Sequence, residues 1–190
     1  PLPAGRRVAL VGNAGGPTRL AADACVGAGL TLATLGEGTR KRLRAATPSA
    51  GLADNPGDLT HPAGPEGYAA ALAAVAADPG VDAVVVIFAP PLSDRTGEVI
   101  DAIPATAPAG GKAVVATALG VGAVDLPSPG DGAIPSFTFP ERAARALGAV
   151  SAYGAWRAED AGEAPTLDGV DGERARLLVD EVLERHPDGA

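Results

Sequence analysis

The chain has no methionine, one cysteine, two histidines and only six aromatic residues in 190, namely three Phe, two Tyr and one Trp. Each shortage excludes something. With Cys25 alone, neither an internal disulfide framework nor a cysteine-rich zinc site can form. His61 and His186 stand far apart, with no Asp or Glu cluster at ligand spacing, so no metal site is expected. No apolar run approaches the ~20 residues that cross a bilayer. The opening "PLPAGRRVALVG" lacks the apolar core and small-residue cleavage site of a signal peptide. A formal charge of −8 and a pI of about 4.7 argue against a face built to neutralise a phosphate backbone, so nucleic acid is not an expected partner. These exclusions leave a soluble domain without a membrane partner, and cytoplasmic is the expected location. A natural chain starts with Met, so Pro1 is expected not to be the first residue of the gene product.

What is present is apolar, glycine-punctuated and alternating. "RRVALVG" (6–12) reads as a strand buried on both faces, and "VDAVVVIFA" (81–89) is the most strongly β segment. "LTLATL" (30–35), "KAVVATA" (112–118) and an extended piece near "AIPSFT" supply three more strands. Helices fit from Pro17 to Gly27 or Gly29, and over 37–46, 65–77, 94–103 and 140–157. The stretch 47–64 is too rich in Pro, Gly, Asn and Asp to be regular, and 120–132 reads as a Gly/Pro loop. A polar linker over 158–173 leads to an amphipathic helix at 173–186, which divides the chain into a domain at 1–157 and an appendage at 158–190.

Five β–α units in this order predict a three-layer α/β domain of flavodoxin-like (Rossmann-like) type, with a parallel sheet of about five strands ordered 2-1-3-4-5. In that order the ligand crevice lies beyond the carboxyl ends of the first and third strands. The loops there are "GNAGGP" and "FAPPLSD". A strand, glycine turn and helix in succession present backbone N–H groups to an anion. The spacing is not that of a dinucleotide fingerprint: residues 12–17 read Gly-Asn-Ala-Gly-Gly-Pro, with no acidic residue placed for a ribose. The only "GGK" (110–112) precedes a strand and continues with Ala113, so no P-loop exists, and there is no Gly-x-Ser-x-Gly elbow. The aromatic contacts that usually hold a flavin are missing from these loops.

Several residues carry both a sharp and a bland reading. Cys25 sits among Ala, Val and Gly on the first helix, as an inert packed thiol would. His61 reads as an ordinary loop histidine, His186 as solvated tail, and Asp23 as a solvating or capping residue. "RKRLR" (40–44) reads as a solvated helix face or a partner surface rather than a nucleotide contact. "NAGGP" itself could be no more than a tight β–α turn.

Taken in order, "RVALVGNAGGPTRLAADAC", "DNPGDLT", "DPGVDAVVVIFAPPL" and "FPERAARALGAVSAY" resemble the second flavodoxin-like domain of NDP-forming acyl-CoA synthetases. These are the ADP-forming acetate–CoA ligases, relatives of succinyl-CoA synthetase, and the resemblance runs over about residues 5–186. It implies a parent that exchanges acyl phosphate, CoA and nucleotide (ATP/ADP with Mg) through a phosphohistidine on a mobile loop. Two helices point their N-termini at that phosphohistidine, and this chain is similar to the second contributor. Asn13, Ala14, Gly15, Gly16, Pro17 and Thr18 would then bind phosphate. Asn55 and Asp58 would brace the turn through side-chain-to-backbone bonds, with Phe88, Ala89 and Pro90 beside them. The resemblance puts the phosphohistidine upstream of residue 1, and neither His61 nor His186 matches it. "PTLDGVDGERARLLVDEVLE" looks like the connector into an ATP-grasp domain. The chain alone is therefore expected to hold no catalytic residue, bind no cofactor by itself and complete no reaction. The same ligase-like domains also occur fused to a protein N-acetyltransferase as a regulatory module, and residues 1–190 do not separate the two parents. A free-standing interaction domain is a third possibility.

Overall fold

The computed structural model describes residues 1–47, 51–90, 96–106, 111–120, 126–127, 133–160, 162 and 169–186. Contacts group the chain into two units, Pro1–Glu159 and Asp160–Ala190. In the first unit, β1 (Arg7–Gly12), α1 (Gly15–Gly27), β2 (Thr31–Leu32), α2 (Glu37–Ala46), β3 (Gly57–Asp58), α3 (Pro65–Ala76) and β4 (Ala83–Phe88) follow one another. Then come α4 (Thr96–Thr106), β5 (Ala113–Ala118), β6 (Leu126–Pro127), β7 (Ala133–Ile134), β8 (Ser136–Phe137) and α5 (Pro140–Ala158).

The main sheet runs β2-β1-β4-β5-β8, with every pair parallel. With β3, β6 and β7 set aside as additions, this is the 2-1-3-4-5 order expected from the alternation. β1 and β4 pair directly, from Val8↔Ala83 to Gly12↔Ile87. Their side chains alternate between two cores. Val8, Leu10, Val85, Ile87 and Val115 meet α1 and α5 through Ala21, Cys25, Ala143 and Leu147. Ala9, Val11, Val84, Val86 and Phe88 meet α2, α3 and α4 through Leu43, Tyr68, Leu72, Val99 and Ile103. Full burial of each Val, Leu or Ile contributes roughly 1.5–3 kcal/mol, and strands covered on both faces must be apolar throughout. Burial also pushes the Cys25 thiol up to about 11, as an inert packed thiol requires.

Three differences from expectation have local causes. β2 is a two-residue ladder, not six, because the side chain of Asn55 enters the joint between β1 and β2. Its Oδ1 accepts from Leu10 N–H at 2.9 Å, and its Nδ2 donates to the carbonyls of Val8 (2.8 Å) and Ala33 (2.9 Å). Beyond that joint β3, inside the stretch read as irregular, takes over the edge of β1 through Val11↔Gly57 and Gly12↔Asp58. β6 and β7 form a short antiparallel pair, and β6 lies in the stretch read as loop. Residues 91–95 of the loop after β4, and residues 161 and 163–168 of the expected linker, lie outside the described residues.

At the starting edge of the sheet, charge is paired. Arg7 donates to Asp82 from Nη2 (2.7 Å), Nε (2.9 Å) and its backbone N–H (2.9 Å). The Arg7 guanidinium holds the Asp82 carboxyl below its ordinary value. Burial alone would raise Asp78. The Thr39 hydroxyl and the N–H groups of Gly36 and Gly80 outweigh that and lower it. Lys112 donates to the Asp78 carbonyl.

In the second unit, α6 (Gly172–Arg185) starts at Asp171, whose carboxylate caps Arg174 N–H at 2.9 Å. Leu178, Val179, Val182 and Leu183 are exposed on it. No helix among the described residues is long and apolar enough to cross a membrane.

Candidate functional site

The site is built where β1 ends. Gly12 closes the strand, and it must be glycine: a Cβ there would lie 2.3 Å from Thr18 Oγ1. That close approach seats the first turn of α1 directly on the strand end. Thr18 is buried, and its hydroxyl and N–H both donate to the Ala14 carbonyl, at 2.8 and 3.1 Å. The Thr18 bond is the first of the helix. α1 begins at Gly15, two residues before Pro17, which puts Gly15, Gly16 and Pro17 in the unpaired first turn. Pro17 therefore removes an N–H that no helical carbonyl could have accepted. Ala14 occupies the N-cap, and its methyl side chain has no polar atom with which to make a capping bond. The N–H groups of Gly15 and Gly16 are left at the positive end of the helix dipole without a carboxylate in the first turn. Gly16 is exposed, and among the described residues a Cβ added there meets no atom within 4 Å. Among the described residues the approach to these donors is open on the Gly16 side, while the Asp58 carboxylate stands on the Gly15 side.

Neighbouring loops hold the turn from two sides. Asn13 is buried, and its side-chain amide pairs fully with the residue after β4. Nδ2 donates to the Ala89 carbonyl and Oδ1 accepts the Ala89 N–H, both at 2.8 Å. Phe88 is core, whereas Ala89 and Pro90 are half-buried at the mouth. On the other side Leu59 N–H donates to the Gly12 carbonyl at 2.8 Å. Asp58 Oδ1 accepts Thr60 N–H at 2.8 Å, and its Oδ2 lies 3.2 Å from where a Gly15 Cβ would stand. Thr60 adopts a left-handed φ of 64°, which the Asp58 bond helps to hold. Asn55 acts one step further back, on the strands rather than on the turn itself.

Tyr68 escaped the sequence reading. It is fully buried beneath both loops, its hydroxyl donating to the Ile87 carbonyl at 2.8 Å. Its ring meets Phe88 edge-on, with centroids 5.8 Å apart. Burial holds the phenol far above its usual pKa. The Asn13 backbone N–H facing it pulls the other way, and the Asp58 charge adds to the rise. The available signal was its rarity, as one of six aromatics and the first to follow the Asn-Pro loop. His61, His186, Asp23 and Arg19 are exposed. Among the described residues no cluster of three His, Cys, Asp or Glu is placed to hold a metal ion.

The geometry thus defines a parallel α/β domain whose strand end presents the backbone donors of Gly15 and Gly16, flanked by the Asn13 amide and the Asp58 carboxylate. The ligase-CoA domain family matches residues 8–125, and the chain belongs to that family. It is 30% identical over 182 residues to ADP-forming acetate–CoA ligase I of Archaeoglobus fulgidus, covering 93% of this chain and 25% of that protein. It is 27% identical over 190 residues to the ADP-forming 4-hydroxybutyrate–CoA ligase of Nitrosopumilus maritimus, covering 98% of this chain and 27% of that protein. The chain therefore spans about a quarter of the length of these relatives. The fold is also that of the dinucleotide forming acetyl-coenzyme A synthetase 1 of Ca. Korarchaeum cryptofilum, solved with phosphate and ADP. That match has a TM-score of 0.68 and 24% identity, over 83% of this chain and 34% of that one. A Pyrococcus horikoshii OT3 crystal structure matches with a TM-score of 0.63 and 29% identity, over 80% of this chain and 36% of that one.

Proposed function

We propose that this chain is the ligase-CoA domain of an ADP-forming acyl-CoA synthetase, in which the head of α1 receives the phosphoryl group of a phosphohistidine carried by another domain. One observation supports this reading above the others. The N–H groups of Gly15 and Gly16 are uncapped at a helix start whose approach, among the described residues, is open at Gly16, while Asn13 and Asp58 bond to the neighbouring loops and hold the turn in place. Such donors stabilise a phosphoryl group without a lysine or arginine, and they do not hold it so tightly that it cannot leave.

The parent would use CoA, ATP/ADP and Mg, the metal being held with the nucleotide in an ATP-grasp domain. Residues 158–190 would form the connector toward that domain, and the CoA-binding and phosphohistidine domains would be the other partners. The chain alone would form no acyl-CoA, because carrier and nucleotide site both lie elsewhere. The matched curated relatives are ligases, which favours a ligase parent over a protein acetyltransferase.

The test is Gly16→Val in the full-length parent. A branched side chain at an open, exposed position leaves the fold intact and fills the path of the phosphate. Rapid-quench measurement of phosphohistidine formation and decay should show a loss on the order of a hundredfold, the scale on which small misplacements act. Wild-type rates in a folded variant would reduce the turn to a plain β–α connection.

A further inference from the structure

Tyr68 serves neither the core alone nor the anion directly, and its bonds all run toward the site. The phenol is 0% exposed, so its hydroxyl must find a partner inside the protein. That partner is the Ile87 carbonyl, at 2.8 Å, one residue before Phe88 and two before Ala89. Ile87 stands opposite Gly12 in the ladder, at the residue that seats α1. The Tyr68 ring fixes Phe88 by edge-on contact. Ala89 in turn holds both polar atoms of the Asn13 side chain. The bonds therefore run without a gap from Tyr68 through Ile87–Ala89 to Asn13, and the next residues, Ala14–Gly16, carry the free donors. That hydroxyl sits on α3, on the opposite face of the sheet from α1.

We propose that Tyr68 is a positioning residue for phosphoryl transfer: its hydroxyl fixes the end of β4, and through Asn13 it aims the Gly15 and Gly16 N–H groups. The inference rests on the phosphohistidine reading above. Removing the oxygen alone keeps the ring, its contact with Phe88 and most of the packing volume. What it frees is the Ile87 carbonyl and, with it, the register of the loop that Asn13 grips. A shift of the donors by a fraction of an ångström weakens them where charge develops, and leaves the binding of CoA and acyl substrate untouched.

The experiment is Tyr68→Phe in the full-length parent, with Asn13→Ala and the double variant beside it. Phosphohistidine stoichiometry counts the competent, folded molecules, so the single-turnover transfer rate is expressed per competent molecule and a partial folding defect drops out. The expected result is a ten- to hundredfold slower transfer, on the order of what small misplacements produce, with KM for CoA and for acyl substrate unchanged. Because the two residues act in one series, the double variant should be no slower than Asn13→Ala alone. A wild-type rate per competent molecule in Tyr68→Phe overturns the positioning role, and so does a double variant slowed by the product of the two single effects. If Gly16→Val still slows transfer in either case, the phosphohistidine reading stands. Absence of any phosphohistidine in the wild-type parent overturns both.

Discussion

The two edges of the main sheet handle polar groups in opposite ways. At the starting edge, where β1, β4 and β5 begin, Arg7, Asp82, Asp78 and Lys112 are charged and bonded to one another or to backbone. At the finishing edge, where the same strands end, Asn13, Thr18 and Tyr68 are neutral and bonded. The Asp58 carboxylate holds Thr60 beside the turn, and the N–H groups of Gly15 and Gly16 lie ahead of the first helical bond of α1. At the first edge the charges already have partners. At the second, Asn13, Thr18 and Tyr68 bond to the backbone and leave the head of α1 uncapped. Paired charge marks the place that keeps the domain together, and the uncapped head of α1 marks the place that we propose receives an anion, with Asp58 on its Gly15 side and the approach at Gly16.

The largest effect expected from breaking the contrast is at Gly12. Gly12→Ala would put a methyl 2.3 Å from Thr18 Oγ1 and 3.1 Å from the Ile87 carbonyl, so the head of α1 must lift off the strand. Overpacking of this kind costs about 1–3 kcal/mol, and we expect the upper end, because backbone as well as side chain must move. Thermal unfolding of Gly12→Ala and of Gly12→Ala/Thr18→Ala measures it. Removing Oγ1 should recover part of the loss; a double variant no better than the single would show that Thr18 is not the obstacle.

Next in size is Asp82→Ala at the starting edge. The variant loses three acceptor bonds from a carboxylate that is 8% exposed, worth about 1–3 kcal/mol in total. Transfer in the parent should be unchanged, since among the described residues no side-chain hydrogen bond or ion pair of Arg7, Asp78, Asp82 or Lys112 reaches α1. The same edge sets the acid limit. Asp78 and Asp82 lie below their ordinary values in the folded chain, so the unfolded chain takes up protons first as pH falls. Their stabilisation is therefore complete above the ordinary carboxylate range, near about pH 4, and is lost as pH drops through the folded values. Denaturant titrations from neutral pH downward should show a steep acid decline in the wild type and a shallower one in Asp82→Ala. Equal slopes would remove Asp82 from the acid response.

How much of this could be read beforehand follows the same division. Strands at 7–12 and 83–88 were legible because burial on both faces forces an unbroken apolar run, and the glycine turn because only a few residue types fit a strand end pressed by a helix. The short ladders of β2 and β3 were not, because the cause is one side chain, Asn55, bonding to strands 45 and 22 residues away. Tyr68 was hidden for a similar reason. On its helix it reads as a core aromatic, and only the register of β4 against β1 brings its hydroxyl under the turn. Local chemistry writes the finishing edge into the sequence; the bonds that brace it are tertiary.

The smallest effect is direct binding of an anion to the chain by itself. Inorganic phosphate should perturb the amide resonances of Gly15 and Gly16 and leave those of Arg7, Gly36 and Gly80 at the starting edge unmoved. A single exposed helix end contributes roughly 0.3–1 kcal/mol, so saturation should lie in the millimolar range or above, with little change in melting temperature. Chloride at equal ionic strength separates the two edges further. Screening acts on both, whereas a bound tetrahedral anion acts only where the backbone donors converge. Gly16→Val should abolish the phosphate response without moving the resonances of the starting edge. Shifts spread equally over both edges, or retained in Gly16→Val, would mean that the finishing edge of the sheet is not a phosphate site and that its free donors serve only to start a helix.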